Sequence, residues 1–141
     1  MKAGFEDKFM EIQAELVALC MEAVEGLSVT KIYLCESIED FSQSFNAFCE
    51  VDDMPKYLCH AGVSAEWVDT LLHVGTNEMM TKIRDVCKEY ETTRPMEIKA
   101  VYDVETGAFD LECKYEPAGF GDPELLDAWY EEIKAQKSAD K

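Results

Sequence analysis

From Phe109 to Glu116 the chain alternates without a break: Phe109, Leu111, Cys113 and Tyr115 are apolar or aromatic, and Asp110, Glu112, Lys114 and Glu116 are charged. Successive side chains of a strand leave opposite faces, so this period of two predicts a strand with one face in a core and the other in water. Upstream, Ile98, Ala100, Tyr102 and Val104 alternate less regularly. Between the two runs, Glu105-Thr106-Gly107 is a turn whose glycine accepts positive φ. Residues 98–116 therefore read as an antiparallel hairpin with acids on its wet face.

The other elements follow from the same kind of spacing. Phe5, Phe9, Ile12, Leu16, Leu19 and Ala23 recur every three or four residues, the stripe of a helix with one face on a core, ending near Gly26. "SVTKIYLCE" and "QSFNAFCEV" are rich in β-branched and aromatic residues and predict two antiparallel strands within 29–51, with "DDMP" breaking the second. Residues 57–63 are a candidate third strand. Ser64 is placed to cap a helix carrying Trp67, Leu71 and Leu72, which Gly75 interrupts before Met79, Met80, Ile83, Cys87 and Tyr90 resume the stripe and Arg94-Pro95 closes it. Asp122-Pro123-Glu124 has the chemistry of a helix start, and the last helix carries Leu125, Leu126, Trp129 and Ile133. The order α-β-β-(β)-α-β-β-α predicts an α+β domain, an antiparallel sheet of four to five strands with helices packed on one face. A chain of 141 residues suits one core, so a single domain is expected over 1–136, followed by a frayed tail at 137–141.

Thirty acids against thirteen lysines and arginines give a formal charge of −17. Such a chain repels duplex nucleic acid and anionic membranes and attracts basic partners. The charge is not confined to a tail. Residues 32–69 hold Glu36, Glu39, Asp40, Glu50, Asp52, Asp53, Glu66 and Asp69 against Lys56 alone, eight acids to one base, a net of −7. This is either a solvated acidic face or a surface that binds cations. The start "MKAGFEDKFMEIQ" has no apolar core of a signal peptide, and no apolar run is long enough to span a bilayer. A reducing cytoplasm is expected, with the six cysteines as small buried hydrophobes.

Motifs for chemistry are scarce. There is no Gly-rich phosphate loop, GxSxG, HExxH or Cys-x-x-Cys, and His60 and His73 are the only histidines. Cys59-His60 is a poor metal pair, and Asp52-Asp53 lacks the ligand spacing and glycine of a calcium loop. No catalytic residue, metal site or cofactor is expected. Trp67 and Trp129 fall in helical stripes and read as core, while Tyr33, Tyr57 and Tyr130 are candidates for partial exposure beside acids, a combination suited to a protein partner.

Taken together, the N-terminal helix, "TKIYLCE", the paired phenylalanines of the second strand, "VYDVETGAFDLECKYE" and the Trp-containing last helix resemble the YezG-like family of bacterial immunity proteins. The resemblance runs from about residue 9 to residue 133 and is most specific at Tyr102-Asp103, Thr106-Gly107, Phe109 and Lys114-Tyr115-Glu116. It departs after Trp129-Tyr130, where this chain has Glu131-Glu132 in place of a basic and aromatic run. The resemblance implies a cytoplasmic antitoxin of a polymorphic toxin system, as in contact-dependent inhibition, which neutralises a nuclease domain by binding it.

A nuclease needs a basic cleft, and a dense acidic surface is complementary to one. The expected toxin-binding residues are Glu36, Glu39, Asp40, Glu50, Asp52 and Asp53, with Asp110 and Glu112 on the hairpin as a second set. The partner is a basic toxin domain, with no nucleic acid or membrane bound directly, and the chain itself is a monomer or homodimer. Two other readings stand beside this one. A small acidic secretion chaperone would be a homodimer with an apolar groove for an extended segment. An enzyme would depend on a single thiol such as Cys59 or on carboxylates.

Overall fold

The computed structural model describes residues 3–116 and 122–139; of residues 122–124 only the backbone is described. Helix α1 (Phe5–Ala23) precedes β1 (Lys31–Ile38), β2 (Gln43–Val51) and β3 (Met54–Tyr57). A 3₁₀ turn (Leu58–Ala61) leads to α2 (Ala65–His73), a π-helical segment (Val74–Met79) and α3 (Met80–Glu89). The hairpin β4 (Glu97–Asp103) and β5 (Phe109–Lys114) follows, then α4 (Asp122–Ala139). The five strands form one antiparallel sheet in the order β3-β2-β1-β4-β5, so the domain is α+β with β1 at its centre.

Helix α1 buries Phe9, Ile12, Leu16, Cys20 and Ala23, the expected stripe with Cys20 in addition, and Phe5 and Leu19 lie partly buried beside it. Together with α2 and α3 it covers one face of the sheet, packing on Ile32, Leu34, Ile38, Phe45, Ala47, Ile98 and Ala100. The opposite face is not left to water, as helices on one face alone would require. Helix α4 lies there, its Leu125, Leu126, Trp129 and Tyr130 packed on Tyr33, Cys35 and Phe48. The reason is in β1 and β2, which are apolar at both parities along their middles, so each face needs a cover.

Three local expectations change. The third strand is residues 54–57 and not 57–63. Asp52 and Asp53 both adopt positive φ, at 53° and 63°, forming the two-residue turn of a tight hairpin, so the chain re-enters the sheet at Met54 instead of breaking away. Gly75 does not interrupt its helix. The π-helical segment carries the chain through, and Gly75 lies against Phe45, where a Cβ would fall 2.3 Å from the ring. Rather than fraying from residue 137, α4 runs to Ala139 and Lys137 is held by two carboxylates. The cap expected of Ser64 is present, its hydroxyl accepting from the Trp67 N–H at 3.2 Å. The one expected of Asp122 concerns a side chain outside the described residues.

Candidate partner-binding surface

The acids expected to form one surface between residues 36 and 53 are dispersed. Glu36 shares the parity of Ile32, Leu34 and Ile38 and is fully buried beneath α1. Gln13 Nε2 donates to its Oε1 at 2.9 Å, and burial pushes its carboxyl up to about 8, so it is mainly a neutral acid at pH 7. Glu36 is therefore a core residue and not part of an acidic surface. Glu50 is also buried, 4% exposed, where Thr30 Oγ1 donates to it at 2.9 Å and Lys137 pairs with it at 2.8 Å. Asp53 takes the other side of the same ammonium at 2.8 Å. These hydrogen bonds and pairings hold the Lys137 pKa well above its usual value.

Glu39 and Asp40 lie in the β1–β2 turn, whereas Asp52 and Asp53 lie beyond the other end of β2. Eight residues of β1 separate the two ends, a span of about 23 Å at 3.3 Å per residue. One small contact cannot use both. The β1–β2 turn is braced from behind: Arg84 donates to the carbonyls of Glu39 and Ser42, and Arg94 donates to the Ile38 carbonyl and pairs with Asp40 at 3.1 Å. At its tip Phe41 stands fully in solvent, 102% exposed, and no periodicity in the sequence marks it.

Asp110 and Glu112 hold up better as surface residues. Both point to the face of the sheet that α4 covers, but α4 packs chiefly on β1, β2 and β3 and meets β4 at Lys99 and Val101, leaving a groove beside β5. There an open groove of about 310 Å³ is lined by Asp110, Glu112 and Lys99 from the sheet and by Trp129 and Glu132 from α4. None of Asp110, Glu112 and Glu132 makes an ion pair among the described residues. Among the described residues the one cation lining the groove is already occupied: the Lys99 ammonium is 3.6 Å from Glu97 and 5.4 Å from the Trp129 ring centroid. A smaller hollow of about 220 Å³ is lined by Glu50, Asp53, Asp103 and Glu105 together with Thr30 and Lys31.

The hairpin motif that carried the resemblance is turn chemistry. Asp103 Oδ1 accepts from the N–H groups of Glu105 and Thr106 at 3.0 and 3.1 Å, Thr106 Oγ1 accepts from Ala108 N–H, and Gly107 takes φ 79°. The aromatic candidates are mostly structural as well. Tyr33 stacks on Phe48 at 4.5 Å, with Trp129 set edge-on against both, and Tyr57 stacks on Tyr130 at 4.1 Å. Tyr130 donates to the Pro55 carbonyl and Tyr57 to Asp127, while burial pushes the Tyr33 hydroxyl up to about 12. Only Tyr57 of the three keeps partial exposure.

The other face has a second groove, apolar, of about 430 Å³. It runs between α1, through Met10, Ala14, Val17, Ala18 and Met21, and the sheet at Tyr102 and Phe109. Ala14 and Ala18 lie beside the buried stripe, and their small side chains leave the space. Cys59 and His60 occur on the 3₁₀ turn, both exposed. Among the described residues no three metal-ligating side chains are gathered, and no helix is long and apolar enough to cross a membrane. No protein-family model matches the chain, and no curated protein matches it.

Proposed function

We propose that this chain is a cytoplasmic immunity protein that neutralises a basic toxin domain, of the nuclease kind, by occupying its phosphate-binding cleft. The observation that carries the reading is the open groove with Asp110, Glu112 and Glu132, three carboxylates on a strand and a helix that make no ion pair among the described residues. A cleft built to hold phosphates offers such a groove the opposite charge, which speeds encounter and fixes register. The resemblance to YezG-like immunity proteins points the same way. No catalysis is required of the chain.

The apolar groove along α1 favours a second reading, a small secretion chaperone that holds an extended segment of its client. Titration of the purified chain against the C-terminal domain of a toxin encoded beside it, at low and high salt with nuclease activity followed in the same samples, separates the two. Tight, salt-weakened binding that abolishes the activity supports the immunity reading. No binding at low salt to a folded, active toxin overturns it for that pair, and a homodimer in solution directs attention to the chaperone reading.

A further inference from the structure

The two grooves flank the same strand on its two faces, and that strand is an edge. β5 is last in the sheet order, and among the described residues no strand pairs with its outer side. Asp103 N–H donates to the Ala108 carbonyl and Met96 N–H to the Lys114 carbonyl, so the even-numbered residues of β5 turn their backbone groups toward β4. By the alternation of an antiparallel ladder, the N–H and C=O groups of Phe109, Leu111 and Cys113 point outward. The opposite edge differs. β3 is four residues long, contains Pro55 and receives the Tyr130 hydroxyl. β5 has six residues and no proline.

Self-pairing suits this edge poorly in one register and only in part in the other. Of the two antiparallel registers that overlap most of β5 with a second copy, one sets Asp110 opposite Glu112 at both ends, and like charges directly opposed destabilise a pair; the other sets Glu112 opposite itself and Asp110 opposite Lys114. Acids on an edge strand are a recognised defence against such pairing. A strand with bases at those positions turns the defence into attraction. Its alternate side chains would lie on the other face, beside Phe109 and Leu111 and toward the apolar groove under α1.

Resting on the proposed function for the partner's charge, we infer that β5 receives an extended segment of the partner as a sixth strand, and that this segment alternates basic with apolar residues. The bases face Asp110, Glu112 and Glu132, the apolar side chains enter the groove of Met10, Val17 and Phe109, and the main chain bonds to the outward groups of β5. The class of ligand is thus an amphipathic basic strand, distinct from a helix or a free anion.

The test uses the whole chain and a capped peptide alternating lysine with valine, against an isomer of the same composition with lysines and valines in separate blocks. The inference expects the alternating peptide to bind about tenfold tighter than the block isomer and to slow amide exchange at Phe109, Leu111 and Cys113. D110K/E112K and A18W, all at exposed positions, should each weaken it about tenfold while leaving the circular dichroism spectrum unchanged. Equal binding of the two peptides, no binding, or protection away from β5 overturns it. The same variants tested against the toxin domain keep the two ideas apart. Neutralisation weakened by D110K/E112K but unaltered by A18W overturns the strand addition and leaves the immunity reading standing. Binding of the alternating peptide with the predicted protection, but not of the toxin, does the reverse.

Discussion

Replacing Glu36 by Gln should stabilise this protein, and the gain should grow with pH. Glu36 is fully buried and its carboxyl is raised from 4.5 to about 8, with burial the largest cause and the Gln13 hydrogen bond opposing it. A carboxyl held above its unfolded value binds its proton more tightly in the folded state. Its contribution is therefore most favourable below pH 4.5 and is lost as pH rises toward 8. Each pH unit in that window costs about 1.4 kcal/mol, reaching about 3 kcal/mol at pH 7 and about 5 kcal/mol above pH 8.

Gln carries no such penalty and has nearly the same shape. The thiols of Cys20 and Cys113, which feel the Glu36 charge, lie at about 12 and 11 and do not titrate in the window. Urea unfolding of both proteins between about pH 5 and pH 8 gives the difference directly, cancelling the many other acids. A difference that stays flat across that range would refute the reasoning, because it would mean Glu36 titrates alike in the folded and unfolded chains.

Lys137→Met should destabilise by about 3 kcal/mol, because it strands the buried Glu50 carboxylate, and adding Glu50→Gln should restore more than half of that in a double-mutant cycle. Gly75→Ala should cost about 1 to 3 kcal/mol in thermal or urea unfolding, since the new methyl meets the Phe45 ring; a neutral result would show that the π-helical segment shifts freely. Of the six thiols, Cys59 alone is exposed, and burial pushes Cys20 and Cys49 up to about 12. Ellman's reagent should therefore find one fast thiol in the native protein, and Cys59→Ser should abolish that phase.

Elements with a clear period were legible in the sequence because periodicity is local: the β5 alternation and the α1 stripe each needed only their own residues. Parity also reaches across β1. Glu36 lies on the inward set with Ile32, Leu34 and Ile38, so its phase in the strand outranks its charge as a guide to its burial. The side on which α4 docks was not legible from its own stripe, since Leu125, Leu126 and Trp129 suit either face. The better signal was the double-sided apolar content of β1 and β2. Glu132 joined Asp110 and Glu112 only through that docking, and Lys137 found Glu50 and Asp53 by the same route, at sequence distances no local pattern spans. The turn of Asp52 and Asp53 hid for another reason. Aspartate is less usual than glycine or asparagine at two successive left-handed positions, so the pair read as a breaker.

The stacked rings beneath α4 also set a problem of timing. Tyr33, Phe48 and Tyr57 precede Trp129 by at least 72 residues, and the helix that covers them is the last of the described elements to be made. At roughly 5 to 20 residues per second, a ribosome leaves that aromatic surface bare for roughly 4 to 14 s after Tyr57 is joined. A nascent chain in that interval presents a sticky half-sheet, and its high negative charge is then the main thing that keeps neighbouring chains on a polysome apart.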